Sequence, residues 1–477
     1  MKPIFRNLQF LLILALLLSF APSTSPARAA SSAQDEHPVY IVQSGDTLNS
    51  IALRFGVSSV DLANANGITD PNALAVNMRL VIPGLSGVSG VLTTQAVPFG
   101  ETLTTISRRM RVPLELIARL NHLTSPVELY AGVTLVIPQS EQGTGELNGQ
   151  LTVAPGQSLV EAAILAGKNP WTLTAQNGLA ASWEALPGDR LYFDDGSQAQ
   201  AGAPLRKSGA ILPGIDSIEI LPLPIVQGHT SVIKVASSTP VSLSGSLAGR
   251  PLQFDHQDDT HQVALQGMHA MAKPGLYPVQ IVEKLADGAT YEFGQMILMQ
   301  AGNYPQDPPL TVPPETLDPA VTKPEEDLVF GITAAHTPQQ LWQGVFVRPV
   351  DEPFCVKSWF GDRRSYNGSD YTYYHTGLDY GVCANLNIRA AAAGQVVYTG
   401  TLTVRGNATI IDHGHGVYTG YWHQKEILVK VGDRVEAGQI IGVIGGTGRA
   451  NGPHLHFEVW VNGVQVEPAE WLANTYP

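Results

Sequence analysis

The chain has little charge, and the sign of what it has excludes one large class of function. Charged residues make up 14% of its 477 positions and the formal net charge is −13. That balance argues against a general nucleic-acid binder. Cysteine is nearly absent: only Cys355 and Cys383 occur. Neither sits in a Cys-x-x-Cys pair, which argues against a thiolate zinc site and leaves one disulfide as the reading in an oxidising compartment. Long hydrophobic runs are missing beyond the N-terminus, so no other segment is expected to cross a membrane. Glycine (47) and proline (34) are plentiful, which favours short strands, turns and linkers over long helices. A chain of this length is too long for one core and should divide into several domains.

The one apolar run, "LQFLLILALLLSFA", follows Lys2 and Arg6 and is followed by "PSTSPARAA". A basic start, a short apolar stretch and an Ala-x-Ala end predict a secretory signal peptide over residues 1–30, cleaved near Ala29 or Ala30. The run is short for a membrane span, and no cysteine follows it to carry a lipid. The mature protein is therefore expected to be exported, with no stable membrane span.

A repeat comes next. "VQSGDTL", "VPFGETL" and "VAPGQSL" start at Val42, Val97 and Val153, and "NGI", "NHL" and "NGL" start at Asn66, Asn121 and Asn177. Both landmarks recur at intervals of 55 and then 56 residues, and the units close with "RLVIP", "TLVIP" and "RLYFD". In the first unit, Leu48, Ile51, Ala52 and Phe55 recur at helical spacing after a polar cap, and "SSVDLANANG" gives a second short helix ended by Gly67. The expectation is strand–helix–helix–strand. These units resemble LysM modules, and the resemblance implies binding to N-acetylglucosamine-containing glycans. It covers residues 39–84 and 94–139 well. A third, degenerate unit at 151–194 lacks the "VIP" ending and carries Trp171 and Trp183.

Residues 195–210 read as a linker. From 211 to 301, short alternating runs divided by Gly and Pro suggest a β-sandwich, immunoglobulin-like by fold-level analogy alone. It holds His256, His261 and His269 without a recognisable site. The Pro-rich, acidic stretch 302–327 reads as an extended, semi-rigid linker.

The last third, 347–473, is strand-rich and punctuated by glycine, which predicts an all-β domain. Within "GPHLHFEVWVNG", His454 and His456 lie two residues apart on a predicted strand and so share a face. Upstream, "HTGLDY" offers His375 and Asp379. Two imidazoles and one carboxylate suit zinc with an open fourth position, and suit it better than calcium.

This region resembles lysostaphin-like peptidoglycan endopeptidases of the M23 family through "FGDRR", "HTGLDY", "AAAGQVVYTG", "IIDHGHGVYTGYWH", "VKVGDRVEAGQIIGVIGGTG" and "GPHLHFEV". The resemblance implies one Zn2+ per catalytic domain held by His375, Asp379 and His456, with His423 and His454 acting in catalysis. Which of those two is the general base stays open. His413 and Arg363 match family positions and are expected beside the ligands or in the framework, while His415 is expected at the surface. Tyr373 and Tyr374 precede the first ligand and are expected either to line the groove or to pack. One departure is Gln424, where the family usually has leucine after the Tyr-x-His motif. A Cys355–Cys383 bridge would pin the metal loop to the first strand.

The combined expectation is a secreted zinc endopeptidase of the bacterial cell envelope that cuts peptidoglycan peptide cross-links, with the repeats on glycan and the last domain on stem peptide. The alternative is a non-catalytic regulator of other wall hydrolases, which would lack one or more of the five residues. The scissile bond could be a D-alanyl–diamino-acid cross-link or a glycine bridge.

Overall fold

The computed structural model describes residues 37–477 apart from 126–127, 140–146, 155, 187, 197–207, 210–211 and 384. The predicted signal peptide, and most of the 195–210 linker, lie outside the described residues. The chain divides into two compact units, one ending at Leu92 and one running from Thr93 to Pro477.

In the first unit, strand β1 (Val39–Ile41), helices α1 (Leu48–Phe55) and α2 (Ser59–Ala65) and strand β2 (Arg79–Val81) follow in order. The strands pair antiparallel, Tyr40 opposite Leu80. Helix α1 starts at a reciprocal cap: Thr47 Oγ1 accepts from the Ser50 amide (3.1 Å) and Ser50 Oγ accepts from the Thr47 amide (2.9 Å). It buries Leu48, Ile51, Ala52 and Phe55, the stripe its spacing predicts. The chain then passes through β3 (Val91–Ala96) into the second unit.

There α3 (Leu103–Met110), α4 (Leu114–Leu120) and β4 (Thr134–Gln139) form the second repeat. The third consists of β5 (Gly149–Thr152), α5 (Leu159–Leu165), α6 (Pro170–Gln176) and β6 (Arg190–Phe193). The recurrent asparagine has a common mechanical role. Asn66 Nδ2 donates to the carbonyls of Leu62 and Val81, and its Oδ1 accepts from the Val81 amide. Asn121 does the same with Ile117 and Val136, and Asn177 with Leu173 and Tyr192. One side chain thus ties the second helix to the closing strand fifteen residues on, which is why it keeps register in all three units.

The middle region forms two five-stranded sheets. One runs β13 (Asp255–His256), β14 (His261–Gly267), β10 (Thr230–Ser237), β8 (Ile215–Leu221) and β7 (Ser208–Gly209). The other runs β12 (Arg250–Pro251), β11 (Ser242–Leu247), β15 (Gly275–Lys284), β16 (Thr290–Gln300) and β9 (Ile225–Val226). Ile218, Ile233 and Ala264 from the first share a core with Leu247, Ile281 and Ile297 from the second.

The 302–327 stretch departs from the extended linker expected of it. Residues 319–327 belong to a 15-residue helix, α7 (Pro319–Thr333). Asp318 caps it by accepting from the Ala320 amide (2.9 Å), and Pro319 sits at the first helical position, where its missing amide costs nothing. Pro324 lies inside, but Glu325 and Val329 are buried against the last domain and tertiary packing holds the helix. Beyond it, Trp342 and Phe346 enter the main core beside Tyr421 and Trp471. The layer that supports the last domain therefore begins well before residue 347.

The last domain is mostly β. Its main sheet runs β17 (Val356–Ser358), β20 (Leu378–Gly381), β27 (His454–Val461), β24 (Val417–Ile427), β23 (Gly406–Gly414), β22 (Gly394–Leu402) and β25 (Arg434–Val435). β26 (Ile440–Ile444) joins β24 to β21 (Asn387–Arg389), β28 (Val464–Val466) pairs with β27, and β18 (Arg363–Arg364) with β19 (Tyr373–Tyr374) forms a separate two-stranded ladder. Cys355 and Cys383 are bridged, with Cα atoms 6.1 Å apart.

Candidate metal centre

Strand register assembles the site. β20 and β27 run antiparallel with Asp379 opposite His456 and Gly381 opposite His454. Directly opposed residues share a face, so the carboxylate and imidazole meet: Asp379 Oδ1 lies 2.8 Å from His456 Nδ1. His375, from the loop entering β20, brings its Nε2 to 3.0 Å from both atoms. Gly377 permits this approach, because a Cβ there would stand 2.3 Å from the Phe457 carbonyl oxygen and 2.8 Å from His456 Nε2.

The outer hydrogen bonds fix which atoms face inward. His375 Nδ1 donates to the Trp359 carbonyl (2.7 Å), so its Nε2 carries the lone pair. His456 Nε2 donates to Glu458 Oε1 (3.0 Å), so its Nδ1 carries the lone pair. Two imidazole nitrogens and one carboxylate oxygen thus converge on one point, all three residues buried. That donor set fits a borderline divalent ion such as zinc.

Electrostatics match. Burial alone would raise Asp379, yet His375 and His456 hold it well below the usual carboxylate range. Burial lowers His375. Burial also disfavours the His456 cation, but Asp379 and Glu458 outweigh it and the net shift is upward.

Glu458 is the participant that sequence reading missed. Two residues beyond His456 on the same strand face, it is buried and accepts from Thr376 Oγ1 (2.6 Å), Trp460 Nε1 (2.8 Å) and Gln465 Nε2 (3.3 Å) as well as from His456. Burial would raise it, but the His456 bond and Arg405 bring it down to about 2. The signal was available: "HFE" puts a carboxylate at i+2 from His456, on the same strand face.

The two remaining imidazoles stand beside the trio. His454 Nδ1 donates to the Gly452 carbonyl (2.9 Å), and its Nε2 lies 3.7 Å from Asp379 Oδ1. His423 reaches the site through a backbone irregularity. The β23–β24 ladder pairs Asn407 with Gln424 but Thr409 with Tyr421, so β24 carries one extra residue. His423 itself is left-handed, φ 63°. The bulge re-aims its ring toward the face occupied by His456, with ring centres 4.7 Å from His454 and 6.1 Å from His456. Its Nδ1 donates to the Thr447 carbonyl (2.8 Å). Burial, then His456 and His454, push its pKa down to about 3, so the ring is neutral. Gln424, the departure from the family pattern, braces this bulge by donating to Thr409 Oγ1 (2.8 Å) and the Tyr421 carbonyl (3.0 Å).

Other expected residues fall elsewhere. His413 is a framework group: Nδ1 donates to the Ala393 carbonyl, Nε2 accepts from Thr419 Oγ1, and burial lowers it to about 4. His415 is not at the surface; it is buried against Trp342, with Nδ1 3.9 Å from Asp255. Arg363 donates to the Ala270 carbonyl (2.7 Å) rather than meeting His375, Asp379 or His456. Its neighbour Arg364, on the opposite face of β18, lies 3.8 Å from Asp379 Oδ2. Tyr373 and Tyr374 line a cavity of about 740 Å³ that also exposes His375, His423, His454 and His456.

Residues 373–468 match the model of Peptidase family M23, and residues 40–83 and 97–138 each match that of the LysM domain. The peptidoglycan DD-endopeptidase ShyA of Vibrio cholerae serotype O1 is 38% identical over 115 residues, 24% of this chain and 27% of that protein. The DD-carboxypeptidase/endopeptidase Mpg of Neisseria meningitidis serogroup B is 42% identical over 94 residues, 20% of this chain and 22% of that protein. The chain spans about a quarter of the length of the curated relatives it matches. Among solved structures, the catalytic domain of lysostaphin from Staphylococcus simulans is 27% identical, covering 28% of this chain and 92% of that one with a TM-score of 0.20.

Proposed function

We propose that this chain, which carries a Peptidase family M23 domain and two LysM domains, is an exported zinc endopeptidase acting on the peptide cross-links of peptidoglycan. The observation that carries the reading is the convergence of His375 Nε2, His456 Nδ1 and Asp379 Oδ1 within about 3 Å of one another, with two further imidazoles facing the same cavity. When bound, zinc supplies an acidified water and a Lewis acid for the scissile carbonyl.

The chain's own groups handle protons and charge. His423 and His454 both commit Nδ1–H to backbone carbonyls, so both present Nε2 to the cavity. A neutral ring there accepts a proton from the attacking water, and a protonated one donates to the developing oxyanion or the leaving amine. Burial of His423 lowers the local dielectric and strengthens its share of both interactions. Glu458 holds the His456 ring in its tautomer from behind.

The repeats give the enzyme its address. Tethering on glycan keeps stem peptides at a raised effective concentration around the cavity. The third unit keeps its asparagine tie and exposes Trp171 and Trp183, a pair of flat apolar surfaces suited to sugar faces. The middle sheets read as a sandwich that joins the repeats to the peptidase domain. Among the described residues no helix is long and apolar enough to cross a membrane. A regulator without activity would not need five intact polar side chains gathered at a cavity, four of them buried.

The test is digestion of purified peptidoglycan by the mature chain, with and without chelator, followed by mass spectrometry of the fragments. New peptide amino and carboxyl termini that vanish on chelation and in His456→Ala are expected. No new termini, or cleavage that survives both treatments, overturns the proposal.

A further inference from the structure

The cavity has a second wall that the peptidase sheet does not supply. Arg250 on β12, and His269 and Met271 just beyond β14, come from the middle sheets and line the cavity that exposes the four histidines. The two regions are fastened at this point. Arg363 donates to the Ala270 carbonyl, contacts the Met271 sulfur and lies over the Tyr304 ring at 5.1 Å. Tyr374, one residue before the ligand His375, meets the His269 ring edge-on at 5.3 Å. Below them Gly267 of β14 is packed against Val464 and Val466 of β28 so closely that a Cβ would stand within 3.0 Å of both.

Four arginines face the cavity, and three of them are occupied. Arg364 donates to Ser358 Oγ (2.8 Å) and pairs with Asp307 (3.4 Å) and Asp379 (3.8 Å). Arg405 is paired with the buried Glu325 (2.9 Å) and lies over Trp422. Arg449 donates to the Thr316 carbonyl (3.0 Å) and lies over Tyr366. Arg250 is different: it is half-buried, and its guanidinium has no ion pair, side-chain hydrogen bond or ring contact among the described residues. Its near neighbour is His269, whose protonation is opposed first by burial and then by Arg250 and Arg363.

The imidazole is oriented as well. His269 Nδ1 accepts from the Met271 amide (3.0 Å), so the proton is on Nε2, 3.5 Å from the Tyr374 hydroxyl, which itself donates to Gln465 Oε1. The acidic members of the lining are otherwise engaged or displaced. Asp379 and Glu458 are held by the ligand histidines, and Glu326 is exposed on α7 three residues from Lys323, which feels its charge. A solvent-accessible guanidinium at the cavity wall, without a protein acceptor among the described residues, leaves its planar fork open to a carboxylate, whose geometry it matches.

We propose that Arg250, with the His269 Nε2–H beside it, forms a carboxylate-binding subsite on the middle-region wall of the cavity, and that the peptide cut at the metal centre is therefore an acidic one carrying a free carboxylate near the scissile bond. This rests on the peptidase reading and deepens it: a neutral glycine bridge offers the subsite nothing. It also assigns the middle region a part in substrate choice.

The probe is a synthetic peptide containing a D-alanyl–diamino-acid bond, as the free acid and with its carboxylates amidated. Binding of both to the chelator-treated full chain is measured by calorimetry, so the readout does not need turnover. The wild-type chain is expected to bind the free acid about tenfold more tightly than the amide, the size of one charge-assisted pair. Arg250→Gln is expected to bind both at the weak level, with an unchanged melting temperature. Equal binding of acid and amide by wild type, no binding of either, or a preference retained in Arg250→Gln overturns the subsite. Cleavage of the same peptide by the zinc-loaded chain is followed in parallel. A preserved binding preference without cleavage sinks the peptidase reading and leaves the subsite standing; cleavage without preference does the reverse.

Discussion

Replacing Glu458 with glutamine tests whether the carboxylate behind His456 tunes the metal centre. Glu458 Oε1 accepts from Thr376 (2.6 Å), His456 (3.0 Å) and Gln465 (3.3 Å), while Oε2 accepts from Trp460 alone (2.8 Å). A glutamine carbonyl will take the Oε1 place, which keeps three bonds, and its NH2 will face the Trp460 N–H. One buried donor is left without an acceptor, a cost of about 1–3 kcal/mol in stability. The His456 Nε2–H then meets a neutral acceptor, and such a bond is roughly half as strong as the charge-assisted one. Loss of an outer-shell carboxylate of this kind weakens metal binding by about tenfold to a hundredfold, or about 1.4–2.7 kcal/mol. Competition against a chromophoric chelator measures the affinity, and activity is titrated with zinc. The expected result is a weaker zinc affinity with turnover recovered at high zinc. An affinity within twofold of wild type refutes the argument. So does turnover that stays low at saturating zinc, since Glu458 would then act on substrate rather than through His456.

The other predictions concern separate parts of the molecule. His456→Ala should lose bound zinc and activity together, whereas His454→Ala should keep zinc and lose turnover; metal analysis that finds the His454→Ala site empty reverses their roles. Glu325 accepts from the amides of Val404 and Arg405 and from the Arg405 guanidinium, and the Arg405 carbonyl in turn accepts from the His423 amide. Glu325→Ala should therefore lower kcat by about one to two orders of magnitude through a displaced His423, with zinc affinity kept; an unchanged kcat shows that the turn stands without α7. Burial raises Glu467 from 4.5 to about 7. A carboxyl raised in the folded state favours folding below its unfolded pKa and loses that contribution as pH rises through the folded value, so wild type should lose up to about 3 kcal/mol relative to Glu467→Gln between pH 4.5 and 7. Melting temperatures of the two that run parallel across that window would exclude it. Breaking the Cys355–Cys383 bridge, which spans 28 residues, should cost about 3–4 kcal/mol by loop entropy, read from denaturant unfolding of Cys355→Ser/Cys383→Ser. A loss below about 1 kcal/mol would show that the metal loop is held by packing alone.

The five histidine and aspartate positions at the site come from motifs legible in a linear string, because each motif is short and each strand alternates its faces. His454 and His456 share a face by that rule alone. Their division of labour did not follow from it. Register sets Asp379 opposite His456 and Gly381 opposite His454, and the outer bonds to Glu458 and Gly452 orient the two rings differently. For Arg363 the contacts match the framework alternative for a related reason: two adjacent arginines on β18 face opposite ways, and nothing local says that Arg364 is the one that meets Asp379.

By itself the sequence determined the repeats, their helical stripes and the short motifs that carry the converging histidines and aspartate, since each of these depends on spacing within ten or so residues. Tertiary structure decided what depends on distant partners. It turned 319–327 into a helix, because the core offered Glu325 and Val329 a place to be buried. It buried His415 against Trp342 and swung His423 inward at a bulge defined by the pairing of β23 with β24. It also set Arg250, some 125 residues before His375, on the wall of the same cavity. Contacts across that separation are fixed by how sheets pack, and sheet packing leaves no periodic trace in the residues between.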